Sequence, residues 1–493
     1  SDNRDDMQRS LNVLHEFCRM WRLTVTLDKT KVMVVNRSED DDGRPFAYGA
    51  SELEEVTKYK YLGLWFTNNA QWGYDLNARI RKAKRVQGNI MHILTQKKLP
   101  IRLRWHVWCG LVRSRLEYGC EIAVPGEAHL KEMEQMQTYV LRRILGCNSR
   151  TALAAVRGDL NVETMKVRQA KLRIRLYQEI CRKECHIPLH QSVFNKSTEL
   201  AVEHPERSFR MSCVRLINST LMGNDSLETW FLNPGSADEP TPDRGWQEAR
   251  QRIMKRFVDT WHDEINDKVT NSDKSQLQLY QKLKQSWGPV PYTTFRDGHT
   301  GGLLFKVRSG TLPVFGFEGK KDSEITRGCM SCGERKVEDI DHFLYYCTGG
   351  LEAGEGLTRR DSRKLMLRQI RSKLFESRLL YENYGPDRLS DSWNLWKLAL
   401  GTPVEEVFDK AFAFAPNPPS AVYEQLEECY PVVPEMRGIV NGINQAVLEA
   451  SMQFLSAAWK KRCRHIDELR QSGDLPDRSE DSNLSFDEGY ESD

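Results

Sequence analysis

No stretch of this 493-residue chain approaches the roughly 18–20 apolar residues that a helical membrane span needs, so no membrane partner is expected. The first residues are polar and acidic, so no secretory signal is expected. They do not begin with Met, and the expectation is a piece of a longer protein. No segment of 20–50 residues recurs, which argues against a repeat array. A disulfide framework is missing as well. Of the twelve cysteines, Cys18, Cys109, Cys120, Cys147, Cys181, Cys213, Cys429 and Cys463 sit alone inside apolar helical patterns. That usage fits a reducing compartment, so an intracellular protein of the nucleus or cytoplasm is expected.

What is present is a core-forming, highly charged chain, 39% hydrophobic and 29% charged, with a net charge of only +3. The small net charge hides an asymmetry. Residues 71–190 carry 23 Lys and Arg against 10 Asp and Glu, whereas residues 471–493 carry one Arg against eight acids. A basic helical block suits a polyanion partner through counterion release. The acidic tail reads as disordered.

The periodicity predicts an amphipathic helix over 4–21, capped by Asp2 or Asn3. Strands are expected at Leu23–Leu27 and Lys31–Val35, and an aromatic hairpin over 56–66. From residue 71 the period turns helical. Leu76, Ile80, Ala83, Ile90 and Leu94 make an apolar stripe, with Arg79, Arg81, Lys82, Lys84 and Arg85 around much of the rest. Trp105 and Trp108 share the next stripe and are read as core. Gly301–Val314 reads as extended, residues 358–412 and 435–470 as helical, and 233–242 as a linker.

Cys329, Cys332, His342 and Cys347 form the strongest chemical signal. Two residues separate the first pair, nine separate Cys332 from His342, and four separate His342 from Cys347. Paired Cys on a tight turn followed by His and Cys offer four ligands to a tetrahedral, borderline-soft ion, so structural Zn²⁺ is expected. Asp339 or Asp341 would cap the turn carrying His342, and Ile340, Phe343 and Leu344 would pack beneath the metal. Cys181, Cys185, His186 and His190 are spaced more loosely and are read as helix residues.

The order of parts then becomes informative. Leu11–Cys18 and Trp21-Arg22-Leu23 precede Lys29-Thr30-Lys31-Val32-Met33, and Tyr59-Lys60-Tyr61-Leu62-Gly63 follows. Leu116-Glu117-Tyr118-Gly119-Cys120-Glu121, then Gln137 through Gly146, and Lys306-Val307-Arg308-Ser309-Gly310 before the Cys/His cluster continue the series. This order resembles the end of the palm, the thumb and the zinc-knuckle region of non-LTR (LINE-type) retrotransposon reverse transcriptases. The resemblance covers residues 1–185 and, less fully, 300–347; Arg22 and Thr26 depart from the family pattern.

The resemblance implies a fold and a set of roles. The fold is α+β and mostly helical: a small β-containing palm remnant with a primer-grip hairpin over 1–70, a basic helical thumb over 71–190 and a helical connector over 191–300, with its linker near 233–243. A zinc-knuckle region over 301–350, a helical C-terminal region over 351–470 and the acidic tail over 471–493 complete it. Lys29 would stand near an incoming triphosphate, and Lys31 beside it on the nucleic-acid side. Tyr61, Leu62 and Gly63 would grip the primer. Arg79, Arg81, Lys82, Arg85, Lys97 and Lys98 would contact phosphates, which position a duplex without reading it. The catalytic aspartate pair, and the Mg²⁺ it holds, would lie before the first helix, in an N-terminal polymerase half. Asp5-Asp6 reads instead as an acidic helix start. Partners would be an RNA template and a DNA primer or target DNA. The alternative is a non-catalytic RNA- or DNA-binding protein derived from a retroelement. An endonuclease is disfavoured: Pro386-Asp387 has no following Glu-x-Lys and lies in a helical pattern.

Overall fold

A computed structural model describes residues 3–37, 42–149, 151–183, 188–203, 209–213, 242–270, 277–314, 329, 332, 339–348, 358–403, 407 and 433–472. The chain is mostly helical with a small β component. It divides into two compact units whose segments alternate along the sequence. One contains residues 1–89, 110–136 and 165–251; the other contains 90–109, 137–164 and 252–493. The basic stretch 71–190 therefore contributes to both. The linker expected near 233–243 lies almost wholly outside the described residues, as does the tail beyond Ser472.

In the first unit, α1 (Arg4–Met20) starts at Asn3, whose side chain accepts from the Asp6 N–H at 2.8 Å. Asp5 and Asp6 occupy the first turn, where the macrodipole favours anions. The helix packs on a three-stranded sheet of order β1-β3-β2, formed by β1 (Lys31–Val32), β2 (Phe46–Tyr48) and β3 (Ser51–Glu55). β2 runs antiparallel to β3 with Phe46 opposite Leu53, and β1 runs parallel to β3 with Lys31 opposite Glu54. Strand alternation turns Phe46, Tyr48 and Leu53 inward, and with Leu11 and Val32 they close one small core.

The two expected strands before it are mostly replaced by turn. Leu27–Lys29 is a 3₁₀ turn, and only Lys31–Val32 joins the sheet. Arg22 sits at φ 54°, and Thr30 N–H bonds back to Thr26 and Leu27 carbonyls. The backbone is thus satisfied locally and needs no ladder there.

β4 (Lys58–Tyr61) and β5 (Leu64–Thr67) make the expected hairpin, with Tyr61 opposite Leu64. The two-residue loop Leu62-Gly63 has φ 48° and 89°, the paired positive values of a type I′ turn.

The helices that follow are α2 (Gly73–Asn89), α3 (Met91–Leu94), α4 (Ile101–Trp108), α5 (Ser114–Glu117), α6 (Glu127–Leu145), α7 (Leu153–Leu160) and α8 (Met165–Lys183). Then come α9 (Pro188–Glu203), α10 (Pro242–Thr270), α11 (Leu277–Leu283), α12 (Gly298–Arg308), α13 (Arg359–Glu376), α14 (Arg378–Leu389), α15 (Ser392–Ala399) and α16 (Val433–Gln471).

In the second unit, Trp105 and Trp108 are buried and stacked at 4.9 Å, as core residues should be. The stretch read as extended from Gly301 is helical through Arg308. Its glycines mark close packing, not a strand. A Cβ at Gly298 would stand 2.1 Å from the Leu99 carbonyl, and one at Gly302 would stand 2.9 Å from that of Leu145.

The centre of this unit is polar. Asp159 on α7 accepts from Tyr280 Oη (3.1 Å), Tyr292 Oη (2.6 Å) and Arg308 Nε (3.0 Å), and Arg308 also donates to the Leu400 carbonyl at 2.5 Å. Both charged side chains are fully buried. Burial, with Asp159 beside it, pushes the Tyr292 phenol well above its ordinary range, so it stays a donor. Arg308→Met would leave a buried carboxylate without its cation. The expected loss is about 3–5 kcal/mol in urea unfolding. Adding Asp159→Asn should return a large part of it, and an undiminished loss in the double variant would count against this pairing.

Candidate metal centre and nucleic-acid face

Cys329, Cys332, His342 and Cys347 come together as their spacing predicts. The ligand atoms all lie within 4.8 Å of one another, with Cys329 Sγ to Cys347 Sγ at 3.7 Å and Cys332 Sγ to His342 Nε2 at 3.3 Å. An ion bonded to thiolates at roughly 2.3 Å in a tetrahedron requires sulfur–sulfur edges of about 3.8 Å. The donors therefore stand at the right separations to share one metal ion. Among the described residues this is the one cluster of three or more His, Cys, Asp or Glu side chains that could do so.

Local hydrogen bonds set the ligands. Asp339, of the two expected caps, accepts from the His342 N–H at 2.6 Å. The chain then makes a π-type turn over His342–Tyr346, closed by Cys347 N–H to the His342 carbonyl at 2.7 Å. Phe343 and Leu344 are buried beneath the cluster and Ile340 is half-buried. Phe343 packs against Trp459 of α16 (6.0 Å), and the Arg359 guanidinium of α13 lies over the Phe343 ring, 4.7 Å from its centroid. Arg363, one turn further along α13, donates to the Tyr345 and Cys347 carbonyls at 2.6 and 2.9 Å. No motif in the sequence announces Arg359 or Arg363; their partners are reached only through folding.

The first unit holds the other candidate surface. Asp75 in the first turn of α2 is fully buried; its carboxylate accepts from the Trp65 N–H at 2.9 Å and pairs with Arg79 Nε at 2.6 Å. Arg79 also donates to the Tyr118 carbonyl and, at 3.3 Å, to Cys120 Sγ. Burial raises the Cys120 thiol despite Arg79, so it stays neutral. Tyr118 Oη donates to the Leu62 carbonyl at the hairpin tip. A Cβ on Gly63 would lie 3.1 Å from the Tyr118 ring, and one on Gly119 would lie 2.5 Å from Leu64. The segments Tyr61–Gly63, Arg79 and Leu116–Glu121, distant in sequence, are thus one packed assembly.

Arg79 consequently departs from its expected role. It is turned inward and only 8% exposed, because its i,i+4 partner Asp75 and the Tyr118 carbonyl hold it. That spacing was a readable signal. Lys84, facing Glu132 at 2.5 Å, is also engaged. Arg81, Lys82 and Arg85 are exposed and have no ion pair or hydrogen-bond partner for their side chains among the described residues. Lys31 is paired with Glu54 at 2.5 Å, while Lys29 is exposed and its carbonyl accepts from Tyr59 Oη. Tyr61 and Leu62 are exposed, Tyr61 at 59%. Lys97 is half-buried and Lys98 exposed, and both belong to the second unit. Pro386-Asp387 lies within α14. Cys185 and His186 lie outside the described residues.

No protein-family model matches the chain, and no curated protein or solved structure matches it. No described helix is long and apolar enough to cross a membrane.

Metal analysis of the purified chain should find a single tightly held ion, lost in a Cys329→Ser/Cys347→Ser variant. Thiolates and imidazole must be deprotonated to bind, so the ion should be released as pH falls. Equal metal content in the native and substituted chains would exclude this cluster as the site.

Proposed function

We propose that this chain is the nucleic-acid-binding C-terminal portion of a retroelement RNA-directed DNA polymerase, and that Cys329, Cys332, His342 and Cys347 hold a structural Zn²⁺. The observation that carries the proposal is the face of α2. Arg81, Lys82 and Arg85 project from one side as unpaired cations. The buried side is pinned by Asp75 and Arg79 to the Tyr61-Leu62-Gly63 hairpin and the Tyr118–Cys120 turn. A rigid basic helix beside a tight, exposed hairpin suits the backbone of a template–primer duplex, with phosphates along α2 and a strand end at the hairpin. Long side chains on a helix that cannot roll spend less entropy on each contact.

Zinc is favoured by three thiolates and one imidazole at tetrahedral separations, and four protein ligands leave no position for substrate. Its role here is to hold the His342–Cys347 turn on α13 and α16. Nucleotidyl transfer needs carboxylates that hold Mg²⁺. Asp5 and Asp6 are not such a pair: Asp5 salt-bridges Arg44 at 3.1 Å, and Asp6 bonds Asn3 and Arg9. This segment therefore grips nucleic acid, and the chemistry is assigned to an N-terminal polymerase half.

Binding of an RNA–DNA duplex should weaken steeply with salt. Replacing Arg81, Lys82 and Arg85 by Gln should flatten the log–log slope by roughly 2–3, at about 0.9 per phosphate contact. An unchanged slope would remove α2 from the interface. Primer extension with Mg²⁺ by this chain alone should yield no product; template-dependent synthesis would place the catalytic carboxylates within it.

A further inference from the structure

Residues 56–74 hold six aromatic side chains and two lysines but no Asp or Glu. All of β4, Lys58-Tyr59-Lys60-Tyr61, is exposed. Side chains alternate between the two faces of a strand, and residues directly opposite on neighbouring strands share a face. Tyr59 and Tyr61 therefore share one face with their β5 partners Phe66 and Leu64, while Lys58 and Lys60 share the other with Thr67 and Trp65.

On the first face the rings form a row. Tyr61 lies 6.5 Å from Phe66, and Phe66 lies 5.4 Å from Trp72, beyond the end of β5. The planes of Tyr61 and Phe66 meet at 58°, so the two do not stack on each other, and the exposed Tyr61 keeps an open ring face. Its hydroxyl makes no hydrogen bond among the described residues. On the second face, Lys58 Nζ lies 4.7 Å over the Tyr74 ring, which meets Trp65 edge-on at 5.4 Å. Lys60 has no ion pair or hydrogen bond for its side chain among the described residues.

The hairpin is also held still. A lone two-stranded hairpin is marginal in water, but this one is fastened at three points. Tyr59 Oη donates to the Lys29 carbonyl at 3.3 Å, the Trp65 N–H to Asp75 at 2.9 Å, and Tyr118 Oη to the Leu62 carbonyl. A ring presented on a fixed frame loses little freedom when a ligand lands on it. Open aromatic faces beside lysines, in a segment without an acid, match a ligand that joins flat π-systems to anions. Every nucleobase has such a face, and one held in a duplex already has it covered by its neighbours.

We propose that Tyr61, with Phe66 and Trp72 behind it, is a stacking platform for the unpaired bases of a single-stranded stretch of nucleic acid, and that Lys58 and Lys60 supply charge for its phosphates. The platform rests on the nucleic-acid reading above and deepens it by naming a single-stranded ligand beside the duplex. Its signature is dependence on bases, which phosphate contacts along α2 do not share.

The test uses the full, metal-loaded chain and three ligands built on one RNA–DNA duplex: blunt, with a single-stranded overhang of about six nucleotides, and with that overhang made abasic. The native chain should bind the intact overhang roughly 5- to 100-fold more tightly than the abasic one. Tyr61→Ala should remove most of this difference, and the exposed position lets that variant fold. Tyr61→Phe should keep it, because stacking uses the ring and not the hydroxyl. Lys60→Gln should weaken binding of the intact and abasic overhangs alike.

A difference that survives Tyr61→Ala overturns the platform. So does an intact overhang bound no more tightly than the abasic one, which leaves these rings to a protein surface. If duplex affinity then still depends on Arg81, Lys82 and Arg85, the nucleic-acid reading stands without the platform. Base-dependent binding with a duplex affinity indifferent to those three cations supports the platform and removes the duplex from α2. Binding of none of the three ligands rejects both. RNA and DNA overhangs are compared in parallel: base dependence with either supports the platform, and the larger difference identifies the strand that occupies it.

Discussion

A guanidinium sealed from water must be met by a carboxylate and by carbonyl oxygens, and that requirement organises each unit. Arg79 is met by Asp75 and the Tyr118 carbonyl; Arg308 is met by Asp159 and the Leu400 carbonyl. Arg104, 2% exposed, has its pKa brought down by burial to about 10, with Asp297 opposing the fall. Removing one partner of such a pair strands the other in a medium that cannot solvate it, so these contacts specify geometry more than they add net stability. In the first unit the consequence is directional. With Asp75, Leu76, Arg79, Ile80 and Ala83 facing inward, Arg81 and Arg85 fall on the far side of α2 and Lys82 on its flank.

The metal cluster obeys a similar logic with softer donors. The short segment over 339–348 has too few apolar residues for a core of its own. Phe343 is buried against Trp459 of α16 and Arg359 of α13, and Arg363 fastens the turn by two carbonyls. A four-ligand ion would fix the remaining freedom, since ligand convergence does not exist in the unfolded chain and binding energy becomes folding energy. The site's burial and its full complement of protein donors fit stabilisation and not catalysis.

Much of this was legible along the chain. The Cys and His spacing identified all four candidate ligands, whose donor atoms the fold brings within 4.8 Å of one another. The hairpin was legible from its aromatics, and the tryptophan stripe from its period. The misreadings share one cause. Gly298, Gly301 and Gly302 look like strand or loop punctuation, yet here they let neighbouring carbonyls approach a helix. Leu23–Leu27 has strand-like residues, but Arg22 in a left-handed turn and the Thr26 and Leu27 carbonyls redirect it. Arg79 sits in a run of cations, and only Asp75 four residues earlier hinted that it points inward.

The amino-acid sequence by itself determined the mostly helical class, the four candidate ligands and the basic character of α2, since each is written in residue types and spacings within one short stretch of chain. The tertiary structure decided which cations are free. It packed Tyr118 against the Leu62-Gly63 turn and sealed Asp159 with two tyrosines and an arginine. Charge and hydrogen-bond partnership across tens to hundreds of residues is a property of the folded chain, because proximity in space is what a buried charge responds to and spacing along the chain does not encode it.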